Sequence, residues 1–74
     1  MNNSQLKMKI VLNNREEIIT SKNITITELL KLKNYTFKML VIKLNDTLVK
    51  KEDYQHTLVN EGDKIDILHL ISGG

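Results

Sequence analysis

The sequence predicts an α+β fold, a mixed sheet of four to five strands with one short helix packed across it. Three observations lead there. Apolar residues alternate over residues 6–12, 39–45 and 64–71, the period of half-buried strands. One segment between the first two carries a helix-start signature followed by helical spacing. Finally, 74 residues suffice for a single small core. A helix stripe and one sheet face that bury each other form it with the fewest elements.

In residues 6–12, Leu6, Met8, Ile10 and Leu12 fall on one face and Lys7, Lys9 and Val11 on the other. Asn13-Asn14 follows as a turn. Residues 16–20, with Ile18 and Ile19, read as the returning strand of a β-hairpin. Thr25 is then placed to cap a helix, Glu28 to complete a capping box, and Ile24 to staple onto Leu29. Ile26, Leu29 and Leu30 make the inward stripe, which fades after Lys33-Asn34, so the helix has only two to three turns. In residues 39–45, Leu40, Ile42 and Leu44 face one way and Met39, Val41 and Lys43 the other. Asn45-Asp46 breaks this strand, and residues 47–50 pair back as a short one. A polar connection with Tyr54 and Leu58 leads to the Glu61-Gly62-Asp63 turn and the last strand, residues 64–71. There Ile65 and Ile67 share a face with His69, while Asp66, Leu68 and Leu70 take the other.

Composition narrows the function. Without cysteine the chain has no disulfide, thiol nucleophile or cysteine metal site. Residues 1–7 lack the apolar stretch of a signal peptide, and the longest aliphatic run, residues 39–42, is too short to cross a bilayer. A cytoplasmic protein with no membrane partner is expected. The net charge of +2 is spread along the chain without a basic block, so no nucleic-acid partner is expected. The excess of Lys, Asn and Ile fits an AT-rich coding sequence. Residues 1–7 read as a flexible extension, 8–70 as the domain and 71–74 as a flexible tail.

Candidate catalytic groups are few. His56 has no companion for a metal site, and His69 reads as a partly exposed packing residue on the core side. The carboxylates Glu16, Glu17, Glu52, Asp53, Glu61 and Asp63 lie in turns and a hairpin, where solvation and turn hydrogen bonds account for them. Tyr35 and Phe37 are placed to cover the helix end. No phosphate-binding glycine loop, nucleophile elbow or zinc spacing occurs. No bound metal or cofactor is therefore expected.

The terminus stands apart. Two of three glycines are Gly73 and Gly74; at glycine's usual frequency of about 7%, roughly 0.5% of chains would end so by chance. Val41, Lys43, Leu68 and Leu70 should neighbour one another on the outer sheet face if the strands that hold them pair, giving an apolar patch that leads into this tail. That makes it a candidate docking surface.

The order of elements, closing in a strand that runs into Gly-Gly, resembles the ubiquitin-like β-grasp superfamily, and within it the ThiS family of sulfur carriers in thiamine biosynthesis. The resemblance rests on Met8-Lys9-Ile10-Val11-Leu12-Asn13, Thr27-Glu28-Leu29-Leu30, Ile42-Lys43-Leu44-Asn45 with Leu48-Val49, Glu52-Asp53-Tyr54, and Glu61-Gly62-Asp63-Lys64-Ile65 through Ile71-Ser72-Gly73-Gly74. Together these cover nearly everything from Met8 onward. Lys50 departs from the family, where proline is common, as does Tyr54, where tryptophan is, and residues 1–7 precede the usual first strand.

The resemblance implies a protein that is a substrate and not an enzyme. An ATP-using adenylating enzyme of the ubiquitin-activating type would convert the Gly74 carboxylate to an acyl adenylate. A persulfide, fed by a cysteine desulfurase or another donor, would replace one oxygen with sulfur, and thiazole synthase would receive that sulfur. Gly73 and Gly74, with slim Ser72 and Ile71 behind them, would thread the partner's active site. The same terminus occurs in the small subunit of molybdopterin synthase and in ubiquitin-like modifiers or interaction modules. Sequences of the molybdopterin type often place proline before the glycines, whereas here His69-Leu70-Ile71-Ser72 leads in and the chain has no proline.

Overall fold

The structure is a computed structural model that describes residues 7–21, 23–35 and 39–70. Residues 1–6 and the tail, residues 71–74, lie outside it, as does Phe37. Strands β1 (Met8–Leu12) and β2 (Arg15–Ile19) form the first hairpin. Strand β3 (Ile24–Thr25) leads into helix α1 (Ile26–Leu32). Then come β4 (Leu40–Leu44), β5 (Thr47–Val49), a 3-10 turn at Lys51–Asp53, β6 (Leu58–Val59) and β7 (Lys64–His69).

Five strands make one mixed sheet in the order β2-β1-β7-β4-β5. The central pair β1 and β7 runs parallel and every other neighbour antiparallel. Both hairpins close through two residues with positive φ, Asn13 (51°) and Asn14 (67°), then Asn45 (51°) and Asp46 (68°). That conformation matches the strand twist and suits Asn and Asp, whose short polar side chains tolerate the left-handed region. Gly62, at φ 84°, turns the chain into β7.

Helix α1 begins as its sequence dictates. Thr25 Oγ1 accepts from the Glu28 N–H at 3.1 Å, and Glu28 Oε1 accepts from the Thr25 N–H at 2.8 Å, which is a complete capping box. Two further N–H groups of the first turn find carbonyls outside the helix, Ile26 to Thr57 at 3.0 Å and Thr27 to Tyr54 at 3.2 Å. The helix ends at Asn34, φ 61°, with Tyr35 N–H donating to Leu30 and Asn34 N–H to Lys31, the Schellman pattern. Seven residues span about 10 Å, too little to persist without the sheet beneath.

The core lies between helix and sheet. Met8, Ile10, Leu12, Ile42, Ile65 and Ile67 supply the sheet side, and Ile26 and Leu29 the helix side. Leu30 and Tyr35 pack half-buried against them. His69 shares the parity of Ile65 and Ile67 and is exposed, where the sequence predicts a partly exposed packing residue. The last strand also ends at His69, two residues before the expected limit, and Ile71 lies outside the described residues. The polar connection proves to be structured, since β6 pairs with β3 through Ile24–Val59 and Thr25–Leu58. Its Val59 is fully buried.

Candidate functional site

On the face of the sheet turned away from the helix, β4 and β7 lie side by side. Their antiparallel register sets Val41 opposite Leu68 and Lys43 opposite Asp66. One step beyond the strands the Leu70 N–H still donates to the Met39 carbonyl at 2.9 Å, so Met39 and Leu70 form the next pair. The four residues picked from the sequence, Val41, Lys43, Leu68 and Leu70, thus share one face. Met39 belongs with them and was left out of that set, although its parity with Val41 was the available signal. Leu68 is 58% exposed, Met39 52% and Leu70 44%, while Val41 is half-buried between its neighbours. An apolar strip therefore runs up β7 to the last described residue before the Gly-Gly tail.

The lower end of the strip is polar. A depression of about 400 Å³ there has a mixed lining, apolar from Val41, Leu68 and Ile67 and polar from Lys43, Asp46, Asp66, Asn13 and Asn14. Lys64 Nζ lies 3.2 Å from Asp46 Oδ1 and 3.9 Å from Asp66 Oδ2. The hydrogen bond to Asp46, then the charges of Asp46 and Asp66, hold the Lys64 ammonium above its ordinary range. Asp46 is exposed and Lys64 and Asp66 are only half-buried, so the arrangement orients charge at the rim and adds little to stability.

Of the carboxylates weighed from the sequence, Glu61, Asp63 and Glu17 are held by hydrogen bonds or an ion pair. Glu61 Oε1 accepts from the Lys9 N–H at 2.9 Å. Asp63 accepts from the Asn60 N–H at 2.8 Å and from Asn45 Nδ2 at 3.1 Å. Glu17 pairs with Lys33 at 2.9 Å. Among the described residues no group of three His, Asp or Glu side chains is placed to hold a metal ion. No helix of the described residues is long and apolar enough to cross a membrane. The described surface presents an apolar strip that reaches Leu70, with charged groups at its other end. Ile71, Ser72, Gly73 and Gly74 lie outside the described residues.

Comparison with known proteins agrees with this layout. The model of the ThiS family matches residues 5–74. A crystal structure of the thiamine biosynthesis protein ThiS from Geobacter metallireducens superposes with a TM-score of 0.79 at 26% identity, over 90% of this chain and all (100%) of that one. A solution structure of a thiamine biosynthesis protein from the same organism gives a TM-score of 0.72 at 26% identity, over 90% of this chain and 88% of that one. The uncharacterized protein ycf40 of Trieres chinensis is 26% identical over 61 residues, 82% of this chain and 84% of that protein.

Proposed function

The chain belongs to the ThiS family, and from that premise we propose that it is a sulfur carrier of thiamine biosynthesis whose working group is the Gly74 carboxylate. The observation that carries the reading is the family match running through Gly74 on a β-grasp body. A carboxylate with a reference pKa of about 3.3 to 3.7 is an anion at neutral pH and resists nucleophiles, so it must be activated. In the proposed sequence an adenylating enzyme joins it to the α-phosphorus of ATP and releases pyrophosphate. The terminal sulfur of a persulfide then attacks the Gly74 carbonyl carbon and AMP leaves, giving an acyl disulfide. A second thiol on the donor attacks that disulfide, becomes oxidised to a protein disulfide, and frees the Gly74 thiocarboxylate. Thiazole synthase is the proposed acceptor, and a cysteine desulfurase the source of the persulfide.

Both glycines serve delivery. Without side chains, Gly73 and Gly74 pass through a narrow channel and adopt dihedrals closed to other residues. Four residues can span at most about 13 to 14 Å, so a partner seated on Val41, Lys43, Leu68, Leu70 and Met39 would have the Gly74 carboxylate within reach. The chain itself supplies no catalytic group in this reading.

Intact-mass analysis after incubation with ATP, adenylating enzyme and persulfide donor tests the proposal. Replacement of one oxygen by sulfur, mapped to Gly74, is the expected result. A variant with one residue appended after Gly74 should stay folded and unmodified. Thiolation of that variant, or thiolation elsewhere in the chain, would exclude Gly74 as the site.

A further inference from the structure

Strand β1 pairs with β7 only through Val11–Lys64 and Leu12–Ile65 before the chain turns away at Asn13-Asn14. The ladder nevertheless continues. The Asn13 N–H donates to the Ile65 carbonyl at 2.9 Å, and the Asn13 side-chain Oδ1 accepts from the Ile67 N–H at 2.7 Å. The carboxamide therefore stands where the carbonyl of a further strand residue would stand. Its other end is fixed as well, since Asn13 Nδ2 donates to the Tyr35 hydroxyl at 3.2 Å. The opposite end of the same ladder uses the same device: Glu61 Oε1 accepts from the Lys9 N–H, while the Gly62 N–H donates to the Lys9 carbonyl at 2.8 Å.

Ile67 is a core residue, 5% exposed, so its N–H has little access to water and needs a partner within the fold. Leu68, directly after it, opens the exposed strip that leads to the tail. Resting on the carrier reading above, we infer that Asn13 is a positioning residue: its carboxamide extends the hold of β1 on β7 from Ile65 to Ile67 and so braces, on the side opposite β4, the strand that leads to Gly74. Loss of that bond leaves β7 beyond Ile65 held by β4 alone, through pairs that run to Leu70, so that its end opens more often and the effective tether is longer while it is open. The concentration of the Gly74 carboxylate at a docked active site falls roughly as the −3/2 power of tether length. A docking role for Asn13 would act on affinity instead.

Two substitutions separate the carboxamide from the turn. N13G keeps the positive φ and removes the acceptor; N13D keeps φ, shape and acceptor. In N13G the Ile67 amide is expected to exchange at least about tenfold faster with solvent. The kcat of adenylation should fall about threefold and KM stay within about twofold, and N13D should restore both readouts. A folded N13G with wild-type kcat, a loss confined to KM, unchanged Ile67 exchange, or an N13D that behaves like N13G would each overturn the inference. In the wild-type chain, a magnetic coupling across the hydrogen bond from the Ile67 amide nitrogen to the Asn13 side-chain carbonyl carbon should be observed, and its absence overturns the inference even if N13G does not fold. A wild-type chain that shows this coupling yet is not adenylated overturns the carrier reading, and with it the consequence for the tail, while leaving the Asn13 bond in place.

Discussion

Lys50 carries the chain from β5 into the 3-10 turn with φ −76° and ψ 151°. That φ lies inside the range a proline ring imposes, and Val49 before it is already extended, as a residue before proline must be. In the turn Lys50 serves as an acceptor, taking the Asp53 N–H on its carbonyl at 2.8 Å, a role proline keeps. Lys50→Pro should therefore stabilise the fold by about 0.4–1 kcal/mol, by restricting the unfolded chain, and raise the thermal midpoint by a few degrees. A lower midpoint would mean that the turn needs the Lys50 N–H or side chain. The difference from the family's usual proline was legible as a residue; that its backbone is already shaped for proline became visible only in the dihedrals.

At the scale of elements, the start of α1 depends on contacts three residues apart and was readable from the sequence for that reason. Thr25→Ala removes the acceptor for the Glu28 N–H and should cost about 1 kcal/mol. Glu28→Gln keeps an oxygen for the Thr25 N–H and should cost clearly less. Chemical denaturation checks both: Thr25→Ala should lower the midpoint with its slope unchanged, and equal losses in the two variants would show that charge, not the capping geometry, carries the stabilisation. The alternation of β1, β4 and β7 was legible on the same footing, because side chains two apart share a face. The β3–β6 pairing was not. Ile24 and Val59 meet across 35 positions through two-residue strands, too short to show any period. Long-range pairing likewise hid the carboxamide of Asn13, whose partner Ile67 lies 54 positions away.

For the whole molecule, the proposed delivery of Gly74 rests on a central strand. β7 lies between β1 and β4 in the middle of the sheet, held on both sides as far as Ile67 and by β4 and Met39 from there to Leu70. The exposed strip of Met39, Leu68 and Leu70 lies along that last stretch. Parity exposed most of this strip in the sequence; the register that sets Val41 against Leu68, and Met39 against Leu70, needed the fold. Leu68→Asp places a charge at the centre of the strip. With Leu68 58% exposed, the change should alter stability by about 1 kcal/mol at most, the span of strand propensity. In the docked complex, by contrast, the new carboxylate would be buried without a partner at a cost above about 1 kcal/mol, so KM for the adenylating enzyme should rise at least about fivefold. Leu58→Asp is the matched control, because Leu58 is 46% exposed on β6, away from the strip, and should leave KM unchanged. If both variants fold and adenylate alike, the docking surface lies elsewhere, and the partner recognises the tail without the strip that leads to it.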